Sequence, residues 1–289
     1  MAKELVHRHN PAEVMLTGWN RTDEDSFTLS ARWPRSHRLF ADIDGCHDPL
    51  IAAETIRQSG SLLLHAEYEV PFGHHFVMWN LTVTTRPGPL TVRATPADID
   101  LAVTCHDVKR RGKTPVGLHL EAVLHRDGET IAHGSAAVSC VGPAAYRRLR
   151  APQLDGAGPP LPLTTPVTPH EVGRLSPADV VLSPTPQPGH WLLRVDTHHP
   201  VLFEHPVDHV PGMMLLEAAR QATISTLGHH APPTHITGEF NRYAELHRPC
   251  HIHAHRLPAQ NTQETVLITG EQDNENIFRA LVTLPTTHN

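Results

Sequence analysis

The chain has 289 residues, and its 25 histidines outnumber the 24 lysines and arginines and approach the 30 carboxylates. At roughly 100–200 residues per domain this length predicts two domains, and a 39% apolar share with 27 prolines and 18 glycines in no fixed period excludes collagen-like and wholly disordered classes. A net charge of −6 and a pI near 6.5 exclude a dedicated nucleic-acid or anionic-membrane surface, which needs a basic excess. No run approaches the ~18 apolar residues of a membrane span, and the opening residues are too polar for a secretory signal, so a cytoplasmic protein without membrane contact is expected. Cys46, Cys105, Cys140 and Cys250 form no C-x-x-C pair and read as buried, reduced thiols.

In chain order, Asp48 is a candidate N-cap with Pro49 at the first helical position, predicting a helix over PLIAAETIRQSGSLLLHAE (49–67). Segments 76–85, 99–108, 116–126 and 130–141 are rich in β-branched residues and bounded by turn signals such as Arg126-Asp127-Gly128-Glu129, predicting an antiparallel meander. Eleven of the 27 prolines then fall in residues 142–188. Proline lacks a backbone donor, so this stretch is expected to run as an extended connector. Beyond it, 191–197, 235–246, 250–257, 265–272 and 277–284 repeat the strand texture, and Pro211-Gly212 opens a second helix, GMMLLEAARQATISTL, stopped by Gly228. The predicted organisation is 1–142, a connector over 143–188, and 189–289.

Both helices are apolar nearly all round, as enclosed helices are. Against that background Glu54, Arg57 and Gln58 in the first align with Glu217, Arg220 and Gln221 in the second at a constant offset of 217 − 54 = 163. The shared text is E-x-x-R-Q. Residues at i, i+3 and i+4 share one helix face, so each trio is a single polar patch. On a solvated face the pair would contribute only tenths of a kcal/mol; in apolar surroundings it points to a site. The duplication also implies an internal repeat of two α+β units.

A long apolar helix entered through Pro-Gly and wrapped by an antiparallel sheet resembles the hotdog fold, here an α+β tandem (double) hotdog. The run Phe203 to Gln221 is similar to the start of the central helix in β-hydroxyacyl-carrier-protein dehydratases, but the position of their catalytic histidine holds Phe203, and Phe40 in the first repeat. His205 and His209 stand nearby as displaced substitutes. Further segments resemble the A-factor biosynthesis (AfsA-like) family: Val6-His7-Arg8, Leu16-Thr17-Gly18-Trp19, His47-Asp48-Pro49-Leu50, Gly73-His74-His75-Phe76, Val172-Gly173-Arg174, Asp179-Val180-Val181-Leu182, Asp208-His209-Val210-Pro211-Gly212 and Phe240-Asn241-Arg242-Tyr243.

That resemblance implies an acyltransferase that moves a β-ketoacyl group from a carrier-protein or coenzyme A thioester to dihydroxyacetone phosphate, giving an ester that closes to a butenolide phosphate on the way to a γ-butyrolactone, butenolide or furan signal controlling antibiotic production. No cofactor and no metal are implied, and the fold class admits a homodimer. The chemistry requires a base, a cation for phosphate and donors for an oxyanion. The expected catalytic set is Glu217 as a base whose pKa burial raises while Arg220, one turn away, pulls it back down, Arg220 on the phosphate, Gln221 on the acyl carbonyl, and His209 as either a second polar contact to substrate or the residue that positions Glu217. Backbone N–H groups near Gly212 are expected to meet the oxyanion. Glu54, Arg57 and Gln58 offer the same groups for substrate binding in the first repeat.

Three other readings compete. A non-catalytic acyl-ligand binder would keep the tunnel without needing the carboxylate, and a hotdog thioesterase or dehydratase is disfavoured by Phe203. A metal site at His251-Ile252-His253-Ala254-His255 fails on length, because the outer two histidines of a strand stand about 13 Å apart. The basic clusters Lys109-Arg110-Arg111-Gly112-Lys113, at an expected hairpin tip, and Arg147-Arg148-x-Arg150 are expected to be solvated or to meet an acidic carrier protein.

Overall fold

The computed structural model describes residues 1–86, 88–112, 114–259 and 262–286. Two compact units emerge, the first formed by Met1–His37 with Ile51–Ala157, the second by Arg38–Leu50 with the chain from Gly158 onward. Neither is one uninterrupted stretch. The segment leading into the first helix belongs to the second unit, a division that periodicity along the sequence does not register.

In the first unit, β1 (Leu16–Asp23), β2 (Ser26–Trp33), β3 (His75–Thr85), β4 (Ala97–Arg111), β5 (Thr114–Arg126) and β6 (Glu129–Val141) form an antiparallel sheet in the order β1-β2-β4-β5-β6-β3. The β5–β6 turn carries Asp127 at φ 52° and Gly128 at φ 79°, the left-handed pair that a tight hairpin needs. Against β5 and β6 lies α1 (Pro49–Ala66), whose Leu50 N–H is capped at 2.9 Å by Asp48 Oδ1. The approach is close: a Cβ on Gly134 would collide with the Thr82 carbonyl and come 2.7 Å from Ile56 Cδ1. Gly134→Ala is therefore expected to cost at least about 1–3 kcal/mol, read as a lower urea midpoint with an unchanged slope.

The second unit repeats the plan with β7 (Leu182–Pro184), β8 (His190–Leu193), β9 (His235–Phe240), β10 (His251–Arg256), β11 (Gln263–Gln272) and β12 (Glu275–Pro285), ordered β9-β12-β11-β10-β8-β7. Asp273 and Asn274, both at positive φ, make its last hairpin. The buried helix α3 (Gly212–Leu227) packs on β9 to β12 and ends at Gly228, φ 74°. Where sequence predicts strand over 235–246, β9 stops at Phe240.

Two expectations need correction. The helices are of modest length, 18 residues in α1, 16 in α3 and 12 in an unpredicted α2 (Pro143–Leu154), rather than two long ones. Nor is 143–188 an extended connector throughout. Pro143 opens α2, since proline at the first helical position forfeits only a donor that would be unpaired anyway. Pro169 and Pro177 open 3₁₀ turns, and β7 follows.

Candidate active site

Each E-x-x-R-Q trio is the centre of a clamp that binds its helix to a preceding 3₁₀ segment. In the second unit Glu217 accepts from Arg220 Nε and Nη2, both at 2.9 Å, and from Gln221 Nε2 at 2.5 Å. A further guanidinium closes the ring: Arg174 Nε and Nη2 donate to Glu217 at 2.7 and 2.6 Å, Nη1 donates to the Leu39 carbonyl at 2.5 Å, and Nη2 also lies 3.3 Å from Asp48 Oδ2. Gln221 grips the backbone around Val180 as a neighbouring strand would, donating to Asp179 O (2.8 Å) and accepting from Val181 N–H (3.0 Å).

The first unit contains the same device. Glu54 accepts from Arg57 Nε and Nη2 at 2.8 Å, from Gln58 Nε2 at 2.7 Å, and from Arg8, whose Nη2 lies 2.6 Å away. Gln58 donates to Glu13 O (2.7 Å) and accepts from Met15 N–H (2.9 Å). Arg57 donates to Val6 O and Arg220 to Val172 O. Thus residues 6, 8, 13 and 15 map onto 172, 174, 179 and 181 at a constant 166, beside the helix offset of 163. Arg8 and Arg174 are the site residues that the sequence reading missed. The signal was present in V-x-R followed by P-A-[E/D]-V, an offset different from that of the helices.

The geometry bears directly on the expected roles of the second trio. Burial by itself raises a carboxylate's pKa, but Arg174 and Arg220 outweigh it and hold Glu217 at about 2. A carboxylate so acidic, with five hydrogen bonds already accepted, is a poor general base. Gln221 has its amide committed on both ends, so it is not free to orient an acyl carbonyl. Arg220 is fully buried; its Nη1 has no hydrogen-bond partner and presses against Gly173, where a Cβ would lie 3.3 Å away. Asp48 is buried beside Glu217, and desolvation raises its pKa while Arg174 and Arg220 oppose.

The clamps differ in exposure. Glu54 is likewise held at about 2, burial being outweighed by Arg57 and Arg8. Yet the Arg57 side chain keeps 21% of its surface open, where Arg220 has none. Of the six trio residues, Arg57 alone is partly exposed.

At the start of α3, Pro211 is the N-cap and no side chain caps the helix, leaving Gly212 at a positive dipole end. Asp208 Oδ1 lies 2.6 Å from His209 Nδ1, which fixes Nε2 as the basic nitrogen of the neutral ring, and Tyr243 packs edge-on at 4.7 Å. His205 pairs with Glu204 at 3.0 Å, and Phe203 and Phe40 are buried. Unlike the buried trio, His205, His209 and Asp208 are partly exposed.

Burial pushes the thiols up, Cys140 and Cys250 to about 12 and Cys105 to about 11, which makes them weak nucleophiles. The alternating histidines of β10 gain a neighbour: His190 stacks on His253 at 4.4 Å, and its Nε2 lies 3.1 Å from His251 Nδ1. Among the described residues no group of three His, Cys, Asp or Glu has metal-binding geometry. Of the Arg147–Arg150 cluster, Arg147 and Arg148 are exposed on α2 while Arg150 is buried; Lys113, in the other basic cluster, lies outside the described residues. Among the described residues no helix is long and apolar enough to cross a membrane.

Comparison with solved structures defines the fold first. The chain is similar to a 12:0-ACP thioesterase from Umbellularia californica (TM-score 0.53, 10% identity, 92% of this chain and 100% of that one). It is also similar to an acyl-ACP thioesterase from Bacteroides thetaiotaomicron (TM-score 0.52, 9% identity, 88% and 96%). Residues 1–142 and 158–241 match the A-factor biosynthesis hotdog domain, and the chain belongs to that family. Its relatives include the 2-oxo-3-(phosphooxy)propyl 3-oxoalkanoate synthases of Streptomyces virginiae (51% identical; 97% of this chain, 96% of the relative) and Streptomyces griseus (41%; 99% and 95%).

Proposed function

We propose that this chain is an acyltransferase that joins a 3-oxoalkanoyl group, delivered as a thioester, to the free hydroxyl of dihydroxyacetone phosphate. The product is the ester that then cyclises to a butenolide phosphate in the biosynthesis of a signalling molecule. The observation carrying this reading is 51% identity, over nearly the whole chain, to a synthase named for that ester. Two duplicated hotdog repeats, 1–142 and 189–289 in the sequence, provide the frame. Direct transfer fits the weak thiols better than a covalent intermediate does.

The roles of the duplicated trios diverge. Glu217, Arg220 and Gln221 with Arg174 serve as a sealed structural clamp. The first copy serves substrate: Arg57 presents its open edge to the phosphate, Glu54 holds Arg8 and Arg57 in place, and Gln58 fixes the segment carrying them. Within the second unit, the N–H of Gly212 at the side-chain-uncapped start of α3 and His209 beside Asp208 suit a polar subsite of that unit's own. Arg147 and Arg148, exposed on α2, suit an acidic acyl carrier protein as donor.

Incubating the protein with a panel of 3-oxoalkanoyl thioesters and dihydroxyacetone phosphate should give the ester mass by mass spectrometry. Release of free acid alone, with every thioester, would mean a thioesterase instead. Arg57→Met should raise KM for dihydroxyacetone phosphate about 10- to 100-fold, the worth of one charge-assisted hydrogen bond, with little change for unphosphorylated dihydroxyacetone. Equal effects on both acceptors would remove Arg57 from the phosphate.

A further inference from the structure

In both trios the carboxylate is already engaged by two arginines and a glutamine, Glu54 by Arg8, Arg57 and Gln58 and Glu217 by Arg174, Arg220 and Gln221. A different pair of groups stands beside the open clamp of the first unit. His7 adjoins both Val6, whose carbonyl accepts from Arg57, and Arg8 of the clamp. Its Nε2 lies 2.7 Å from His65 Nε2 on the last turn of α1, and His65 Nδ1 lies 2.6 Å from the Val70 carbonyl.

The backbone at His7 adds an independent observation. It has φ 54° and ψ 50°, the left-handed region that a residue with a side chain occupies at a steric cost. At the equivalent position of the second repeat, 7 + 166 = 173, the chain uses Gly173 at φ 65° and ψ 38°. The fold therefore works with glycine here. The first repeat keeps an imidazole at this strained point, beside the one trio arginine that is open to solvent.

We propose that His7 is the catalytic base of the first-repeat site and that His65 is its positioning residue; the assignment rests on the ester-forming reading for its substrate. A carbonyl can only accept, so Val70 requires hydrogen on His65 Nδ1. Neutral His65 then accepts at Nε2, which puts the hydrogen of His7 on Nε2 and leaves His7 Nδ1 as the basic nitrogen. Burial lowers the pKa of His65, which keeps it in the accepting, neutral state. Phe76 stacks on His7 at 4.6 Å and Phe72, 64% exposed, leans on His65 at 4.6 Å, giving the pair an apolar flank that an acyl chain can cover.

In the reaction the acceptor hydroxyl oxygen attacks the thioester carbonyl carbon, forming the C–O bond as its proton passes to His7 Nδ1. The tetrahedral intermediate then collapses with cleavage of the C–S bond. The departing sulfur takes the proton back from His7, so one ester and one thiol leave and the imidazole is regenerated. The charged imidazole formed meanwhile is stabilised by its Nε2–H donating to His65.

The test uses His7→Gly, because glycine is what the second repeat carries at this position and the variant should fold. Given ester formation by the parent protein, the variant's kcat should fall by about 100-fold or more with KM changed little, and added imidazole should restore part of the rate. A rate within about twofold of the parent, or loss that imidazole leaves untouched in a folded variant, would overturn the assignment. Nitrogen-15 spectra of the imidazoles provide a readout that needs no turnover: hydrogen on Nδ1 of His65 and on Nε2 of His7, with His65→Ala scrambling the His7 tautomer. Hydrogen on His65 Nε2 would sink the relay even if the ester forms. No ester from the parent protein, with the tautomers as expected, would instead count against the ester-forming reading and, with it, this role for His7.

Discussion

Glu217→Ala should destabilise the protein by about 3–5 kcal/mol, the usual result of removing one side of a buried ion pair and leaving the other uncompensated. Here the uncompensated groups are two buried guanidiniums, Arg174 and Arg220. The matched change Glu54→Ala should cost less, since Arg57 can turn its open edge to solvent. Glu217→Gln should fall between parent and alanine variant, because an amide keeps one acceptor but directs N–H groups at an arginine. Urea midpoints of the three variants test the order. Equal losses for Glu54→Ala and Glu217→Ala would show that exposure at Arg57 has no energetic meaning.

Acid should unfold this protein steeply between about pH 4.5 and pH 2. Both clamp glutamates are ordinary carboxylates in the unfolded chain, at 4.5, and are held at about 2 in the folded one. Across that window the unfolded state binds more protons, so the stability they contribute is complete above the unfolded value and is lost as pH falls through the folded value. For Glu54 this amounts to about 3 kcal/mol at neutral pH. Asp48 acts in the opposite sense. Its folded pKa is raised, chiefly by burial, so it gains its proton readily and softens the fall. Thermal midpoints measured down the acid limb should show the slope, and Glu54→Ala should flatten it. An unchanged slope in that variant would contradict the depressed pKa.

Helix limits were readable because their signals are local: Asp48 and Pro49 at the start of α1, Gly212 and Gly228 around α3. The trios were readable because polar residues at one face of an apolar helix have no other account. Their chemistry was not. Whether desolvation or a guanidinium controls Glu217 depends on Arg174, 43 residues away in the chain, and on whether a second arginine closes over the same carboxylate. Likewise the function of Gln221 lies in backbone atoms of Asp179 and Val181 that no side-chain pattern announces. The helix of 143–154 was hidden because proline density was read as stiffness, although Pro143 stands where a helix tolerates it. Most of the histidine excess stays compositional. His7, His65 and His209 are distinguished by partners and backbone angles rather than by abundance.

The two clamps also set a timetable. Arg8, Glu13 and Met15 are synthesised ahead of α1, and their partners there, Glu54 and Gln58, follow, Gln58 43 residues after Met15. The first clamp can close on α1 before β3 to β6 have left the ribosome, giving the nascent chain a fixed seed on which those strands assemble. The second has no such head start, because Arg174 also bonds the Leu39 carbonyl and Asp48, made more than a hundred residues earlier. Residues 38–50 must wait, exposed, until the other half of the chain arrives. Translation arrested before residue 174 should therefore leave this stretch sensitive to protease, although residues 1–15 are already protected.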